Sequence, residues 1–229
     1  MKDKILSDLK EYGFCIIENF YDNDFCDNSV KDIEECIVKY KDKIQVLERE
    51  GTSGDERIFK MDGKYKTAET FANEKDIRDA VSEYYGSDLK CHFTLGGKVI
   101  HKEGRSNNSG GGWHKDQPTK QLKSLVYLSD VDSENGPYLF IKKSNNKSLN
   151  NSGKSRFTNE EINDMVKHKG LEVIEVTAKK GTVIITDTSY IHRGKNIEKG
   201  TRYSYTNYFL PNDKFTEKNV MIKWGKNFI

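Results

Sequence analysis

An α+β fold with a mainly β core is predicted for this chain, and two observations predict it. Apolar residues recur at helical spacing in stretches that end by Tyr85. From Leu89 onward the pattern changes to short apolar runs of strand length, separated by Gly, Asn, Asp and Ser. Helices first and strands after is the α+β order, and many short strands with turns point to a sandwich or an open barrel.

Each element follows from its local pattern. Lys2 to Tyr12 reads as an amphipathic helix with Ile5, Leu6 and Leu9 on one stripe, stopped by Gly13. Phe14 to Ile17 is a short apolar strand. Asp22 to Lys43 is a longer helix, in which Phe25, Val30, Ile33, Ile37 and Tyr40 form the apolar face. Glu50 to Lys66 holds Gly51, Gly54, Gly63 and many charges with no clear period, so it reads as a surface loop with a short hairpin around Asp62-Gly63. Asn73 to Tyr85 is helical, from an Asn cap to a stop at Gly86.

The strand region then runs Leu89 to His101, a polar loop over Glu103 to Gly112, and Gln121 to Val131. A turn at Asp132 to Gly136 leads to the strand Tyr138 to Ile141 and a polar loop over Lys142 to Ser155. Thr158-Asn159-Glu160-Glu161 matches a capping box and opens a helix to about His168. Leu171 to Val176, Thr182 to Asp187 and Thr201 to Phe209 complete the strands. With no internal repeat and no linker, residues 1–229 read as a single domain.

Composition narrows the function. A net charge of +2 gives no reason to expect a nucleic-acid or membrane-surface partner. No run approaches the roughly 18 apolar residues of a membrane span, and Met1-Lys2-Asp3-Lys4-Ile5 does not open a signal peptide. Cys15, Cys26, Cys36 and Cys91 include no C-x-x-C, so reduced thiols and a cytoplasmic location are expected.

The chemistry gathers at Gly110-Gly111-Gly112-Trp113-His114-Lys115-Asp116. On an extended strand, residues two apart share a face, so His114 and Asp116 look the same way. His192, which follows the apolar strand Gly181 to Asp187, adds a second imidazole. Two His and one carboxylate form the donor set that holds non-haem iron and leaves coordination positions open. His101-Lys102-Glu103 has the same spacing and is a rival pair. Ten residues after His192, the last strand puts Arg202, Ser204, Thr206 and Tyr208 on one face. An Arg pointing inward needs an anion, and its planar fork suits a carboxylate.

The chain also resembles the phytanoyl-CoA dioxygenase family of iron(II)- and 2-oxoglutarate-dependent oxygenases. The resemblance rests on Leu9 to Phe20, Trp113-His114-Lys115-Asp116, Leu125 to Val131, Glu134-Asn135-Gly136-Pro137-Tyr138, Gly181 to His192 and Arg202-Tyr203-Ser204. It implies a double-stranded β-helix (a jelly roll) flanked by N-terminal helices. It implies His114, Asp116 and His192 as ligands of Fe(2+), and Arg202 on the distal carboxylate of 2-oxoglutarate with Ser204 as helper. Tyr127 is a candidate cosubstrate contact, or a core tyrosine. O2 is the co-reactant, and ascorbate a possible reductant.

The reaction implied is hydroxylation of a small-molecule metabolite, with desaturation and ring formation open to the same oxidant. Asp116 stands where a halogenase of the family would carry a small residue. One departure is visible: where the family has Pro-Gly-Ser-His, this chain reads Lys142-Lys143-Ser144-Asn145. If the two polar loops form a lid, Arg57, Lys60, Lys64 and Arg105 would suit an anionic substrate. A non-catalytic jelly-roll binding protein and a zinc hydrolase are the other readings. Neither accounts for His114, Asp116, His192 and Arg202 together.

Overall fold

A computed structural model of the chain describes residues 1–46, 54–103, 112–116, 121–145, 153–211 and 217–229. Helix α1 (Lys2–Tyr12) buries Ile5, Leu6 and Leu9 and ends at Gly13, whose φ of 84° lets its N–H bond to Leu9 O. A side chain at Gly13 would also strike the ring of Tyr190, with a Cβ 2.5 Å from Cζ, so this position needs glycine twice over. Strand β1 (Phe14–Ile17) follows. Helix α2 (Asn23–Lys39) starts at Asp22, whose carboxylate accepts the Phe25 N–H. A 3-10 turn over 41–43 continues it, in place of the uninterrupted helix expected to Lys43.

The segment Glu50 to Lys66 departs from expectation. Residues 50–53 lie outside the described residues, but Gly54–Phe59 is a strand, β3, paired antiparallel with β4 (Leu89–Ile100), while a two-residue β2 (Gln45–Val46) pairs with its other edge. The strand was hidden by its charges, which the fold pairs: Arg57 Nε lies 3.3 Å from Asp55 Oδ2, and Lys98 Nζ 3.8 Å from Glu56 Oε2. Asp62-Gly63 lies in a 3-10 turn rather than a hairpin. The helix expected up to Tyr85 is present as α4 (Lys75–Tyr85), ending at Gly86, and an additional short helix, α3 (Lys66–Ala72), precedes it. Asn73 ends α3, its side chain donating to Glu69 O at 2.9 Å, and does not cap α4.

The remaining strands are β5 (Trp113–His114), β6 (Leu122–Tyr127), β7 (Tyr138–Lys142), β8 (Arg156–Phe157), β9 (Glu172–Val176), β10 (Val183–Asp187), β11 (His192–Gly194) and β12 (Thr201–Pro211). Helix α5 (Asn159–Lys169) opens on the expected capping box at Thr158 and Glu161. A C-terminal helix, α6 (Glu217–Trp224), was not anticipated.

The strands form two antiparallel sheets. The larger has the order β1-β10-β6-β12-β4-β3-β2, and the smaller β8-β5-β11-β7-β9. Helices α1 to α4 cover the outer face of the larger sheet, where Ile5, Leu9, Ile33, Phe71, Val81 and Tyr205 share one apolar cluster. Helix α5 covers the smaller sheet through Ile162, against Trp113, Ile141 and Ile191. This is the double-stranded β-helix with flanking N-terminal helices that the sequence resemblance implied. No helix among the described residues is long and apolar enough to cross a membrane.

Candidate metal centre and its cavity

Between the sheets lies a cavity of ≈ 170 Å³. Its larger-sheet wall is set by register. Arg202 is level with Val99, and Val99 with Asp55; Ser204 is level with Gly97 on one side and Tyr127 on the other. Alternation therefore turns Arg202, Ser204, Thr206 and Tyr208 into the cavity, and Tyr205 and Phe209 toward the helices. Gly97 leaves this wall open between Ser204 and Arg57, since a Cβ there would sit 3.2 Å from Ser204 Oγ.

The smaller sheet supplies the two histidines. His192 on β11 is directly opposite His114 on β5, with ring centroids 4.5 Å apart. Just after β5, Asp116 is fixed by its N–H to Thr188 O at 3.0 Å. Asp116 Oδ1 lies 3.5 Å from His114 Nε2, and Oδ2 lies 3.8 Å from His192 Nε2. The three donor atoms are within 4.8 Å of one another, and this is the one such group of three or more among the described residues. His114 Nδ1 lies 2.9 Å from Gly112 O, and His192 Nδ1 2.9 Å from Tyr190 O. A ring nitrogen that bonds a carbonyl carries the proton, so both Nε2 lone pairs are left facing Asp116, as a metal requires.

Electrostatics favour the ligand forms. Burial pushes the Asp116 carboxyl up, but Lys123 and the two imidazoles outweigh it and hold the group well below the usual range. Burial lowers His192 to about 4, so it is neutral at ordinary pH. For Lys123, whose Nζ is 2.6 Å from Asp116 Oδ2, burial works against the charge, but Asp116 and Tyr208 together outweigh it and raise the group, so it stays an ammonium.

Arg202 lines the same cavity, and its buried Nε has no hydrogen-bond partner among the described residues. A buried guanidinium nitrogen without an acceptor is costly unless an anion fills the space. Tyr127 contributes its ring to the wall, but its hydroxyl is engaged by structure: it donates to Val176 O at 3.0 Å and accepts the Tyr138 N–H at 2.8 Å.

The rival His101 stands apart, with Nδ1 3.0 Å from Ile197 O. Of the four loop cations, Arg57 lines the cavity from β3. Lys60 instead bonds Asp62 and His92 O, Lys64 is exposed, and Arg105 lies outside the described residues. The departing segment Lys142 to Asn145 is not cavity wall. Lys143 takes a φ of 59°, Ser144 Oγ accepts the Ile191 N–H at 2.8 Å, and Asn145 Nδ2 donates to Ser189 Oγ at 3.0 Å. These bonds brace the turn that delivers His192. Buried Asp187 braces it from the other side, accepting from Ser189 N, Ser189 Oγ and Tyr84 Oη. Lys123 and Asp187 were missed from sequence. The signal for Lys123 was there: it alternates with Leu125 and Tyr127 on the central strand, a charge where core residues belong.

The profile of the family described as phytanoyl-CoA dioxygenase (PhyH) matches residues 9–201. The chain belongs to the phytanoyl-CoA dioxygenase family. No curated protein matches its sequence. Solved structures share its fold at low identity. The epimerase SnoN in complex with Fe3+, alpha ketoglutarate and nogalamycin RO superposes with a TM-score of 0.71 at 13% identity, over 91% of this chain and 83% of that one. EctD from S. alaskensis with 2-oxoglutarate and 5-hydroxyectoine gives 0.69 at 17%, over 91% and 75%. A Pseudomonas putida prolyl-4-hydroxylase gives 0.63 at 13%, over 92% and 100%. Within a dioxygenase family, the two-His, one-carboxylate set fits iron(II), and Arg202, with its buried Nε, fits a carboxylate.

Proposed function

We propose that this phytanoyl-CoA dioxygenase family member is an iron(II)- and 2-oxoglutarate-dependent dioxygenase that hydroxylates an unactivated C–H bond of a small-molecule metabolite. One observation carries the reading: a two-His, one-carboxylate set and a buried, unpartnered Arg202 Nε open into the same cavity. In this reading His114, Asp116 and His192 hold the metal. Arg202 takes the distal carboxylate of 2-oxoglutarate, Ser204 adds its hydroxyl, and the ring of Tyr127 is a side wall.

Iron(II) with 2-oxoglutarate and O2 supplies the oxidant, at the expense of 2-oxoglutarate going to succinate and CO2. The chain's own residues bind and orient. The carbonyls of Gly112 and Tyr190 keep the imidazole protons on Nδ1. Lys123 keeps Asp116 ionised, and the strand pairing of His114 with His192 fixes the spacing of the two rings. Apolar Leu95, Val99 and Leu125 exclude water from the wall beside them. Asp116 occupies a ligand position, which favours hydroxylation over halogen transfer. SnoN, EctD and the prolyl hydroxylase support a small-molecule or side-chain substrate and show that one fold carries several outcomes.

The test is succinate release in air with iron(II), ascorbate and 2-oxoglutarate, beside anaerobic titration of the iron-loaded protein with 2-oxoglutarate. Binding and slow uncoupled succinate formation are expected, both lost in His114→Ala and Arg202→Ala and kept in His101→Ala. A protein that neither binds 2-oxoglutarate nor forms succinate would overturn the reading.

A further inference from the structure

The cavity carries a surplus positive charge, and its placement points to the kind of substrate. Its wall includes Asp55, Arg57, Lys123 and Arg202, and Asp116 sits against Lys123. That is three cations against two carboxylates. Arg57 is beside Asp55 at 3.3 Å, and Lys123 beside Asp116 at 2.6 Å, which leaves Arg202 for the distal carboxylate of the cosubstrate. A divalent metal and the dianion 2-oxoglutarate cancel, so the loaded cavity keeps a net charge of one positive.

That surplus falls on Lys123. Its partner atom, Asp116 Oδ2, also faces His192 Nε2 at 3.8 Å, inside the donor set. A metal there draws on the same carboxylate charge and leaves Lys123 the least neutralised of the three cations. Lys123 lies opposite Tyr208 and Thr186 in the sheet, four residues along β6 from Tyr127. At strand rise this is roughly 13 Å from the row that carries Ser204. The side chain is only 15% exposed, with its ammonium 4.4 Å from the centre of the Tyr208 ring, on a flexible four-carbon stem that can swing from Asp116 toward the cavity. An ammonium so largely withdrawn from water that loses part of its counter-charge needs another anion.

We propose that Lys123 is the specificity-determining residue for the primary substrate, and that it takes an anionic group, a carboxylate or a phosphate ester, held beside the metal. This rests on the dioxygenase reading above. Lys123 thus has two partners in turn: Asp116 while the site is empty, and the substrate's anion when it is loaded.

The experiment uses the full chain, loaded anaerobically with iron(II) and saturating 2-oxoglutarate. It is titrated calorimetrically with a series of small anions (the monoanions acetate, butyrate and benzoate, and methyl phosphate) and with the neutral amides of the three acids. At least one anion is expected to bind, with its amide weaker by about 10- to 100-fold, the size of a hydrogen bond to a charged group. Lys123→Gln and Lys123→Met are expected to erase that preference, and Lys123→Arg to keep it. The wild-type comparison of acid with amide needs no variant, so a folding defect in Lys123→Met leaves the test intact. Equal binding of acids and amides, no binding by any anion, or a preference that survives in folded Lys123→Gln overturns the proposal. A flat 2-oxoglutarate titration overturns the dioxygenase reading as well, whereas normal 2-oxoglutarate binding with no anion preference overturns this inference alone.

Discussion

The two faces of β12 are built from alternate residues of one strand, and they treat polar groups in opposite ways. On the outer face, under the helices, Tyr205 Oη lies 3.0 Å from Thr67 Oγ1, and Tyr203 Oη donates to Glu34. Asn207 donates to Phe71 O and Ser124 Oγ and accepts from Thr94 Oγ1 at 2.7 Å. On the inner face, Arg202 Nε is buried with no hydrogen-bond partner among the described residues. A face that only holds the fold together satisfies what it buries; a face that binds something leaves part of that to the ligand. The difference makes the inner face legible as a site, and substitutions can break it.

The largest effect is expected at the metal set, on the inner side. Asp116→Ala removes a ligand and leaves Lys123 buried without its carboxylate. Manganese(II) binding, followed by calorimetry, should weaken beyond the about 10- to 100-fold typical of losing an outer partner. The metal-free protein should also lose about 3–5 kcal/mol, because one half of a buried pair is stranded. Chemical denaturation with and without metal reads both. If the metal-free stability is unchanged, Lys123 is not paired as described.

Arg202→Met comes next and separates binding from stability. Truncating one side of a buried charge-assisted contact costs about 2–5 kcal/mol of affinity, so the dissociation constant for 2-oxoglutarate should rise by about 30-fold or more. The ligand-free protein should be as stable as wild type or more so, since a buried guanidinium nitrogen without an acceptor has been replaced by an apolar chain. Loss of stability with unchanged cosubstrate binding would mean that Arg202 belongs to the fold and not to the site. Asn207→Ala, five residues along the same strand and on its outer face, is the mirror experiment. It strands Thr94 Oγ1, Ser124 Oγ and Phe71 O and should cost about 1–3 kcal/mol. The 2-oxoglutarate affinity should stay within about twofold.

Which parts were readable in the chain follows from the same contrast. Strands of alternating residues, such as Thr201 to Phe209, announced which residues share the face that enters the cavity, Arg202, Ser204, Thr206 and Tyr208. The donor set was readable because His114 and Asp116 are two apart and His192 follows a buried strand. What escaped were elements whose pattern is set by partners far along the chain. Strand β3 reads Gly-Asp-Glu-Arg-Ile-Phe, and its charges make sense only beside Lys98 and the cavity. Asn73 looked like a helix start because Asn caps helices, yet its side chain closes the preceding one. Lys123 was overlooked because a lysine in a strand is ordinarily on the solvent face; here its counter-ion, Asp116, comes from the other sheet. The double role of Gly13, against Tyr190, needs a contact across 177 positions and has no local signal at all.

The smallest effect tests how far the metal set depends on the helix behind it. Thr158 opens α5 through a reciprocal pair: its Oγ1 accepts the Glu161 N–H at 3.2 Å, and the Glu161 carboxylate accepts the Thr158 N–H at 2.9 Å. One residue earlier is Phe157 of β8, level with Trp113, and Arg156 is level with His114. Arg193, next to His192, also donates to Asn159 Oδ1 at 3.1 Å, in the first turn of the same helix. Thr158→Ala should cost about 1 kcal/mol of stability, the usual worth of a cap. Manganese affinity should hold, because His114 is fixed independently by β11 and by the Gly112 carbonyl. A fall in metal affinity out of proportion to that loss would show that β5 takes its position from β8 and α5. The helix start would then count as part of the metal centre, and the smaller sheet would no longer be a passive cover for the larger.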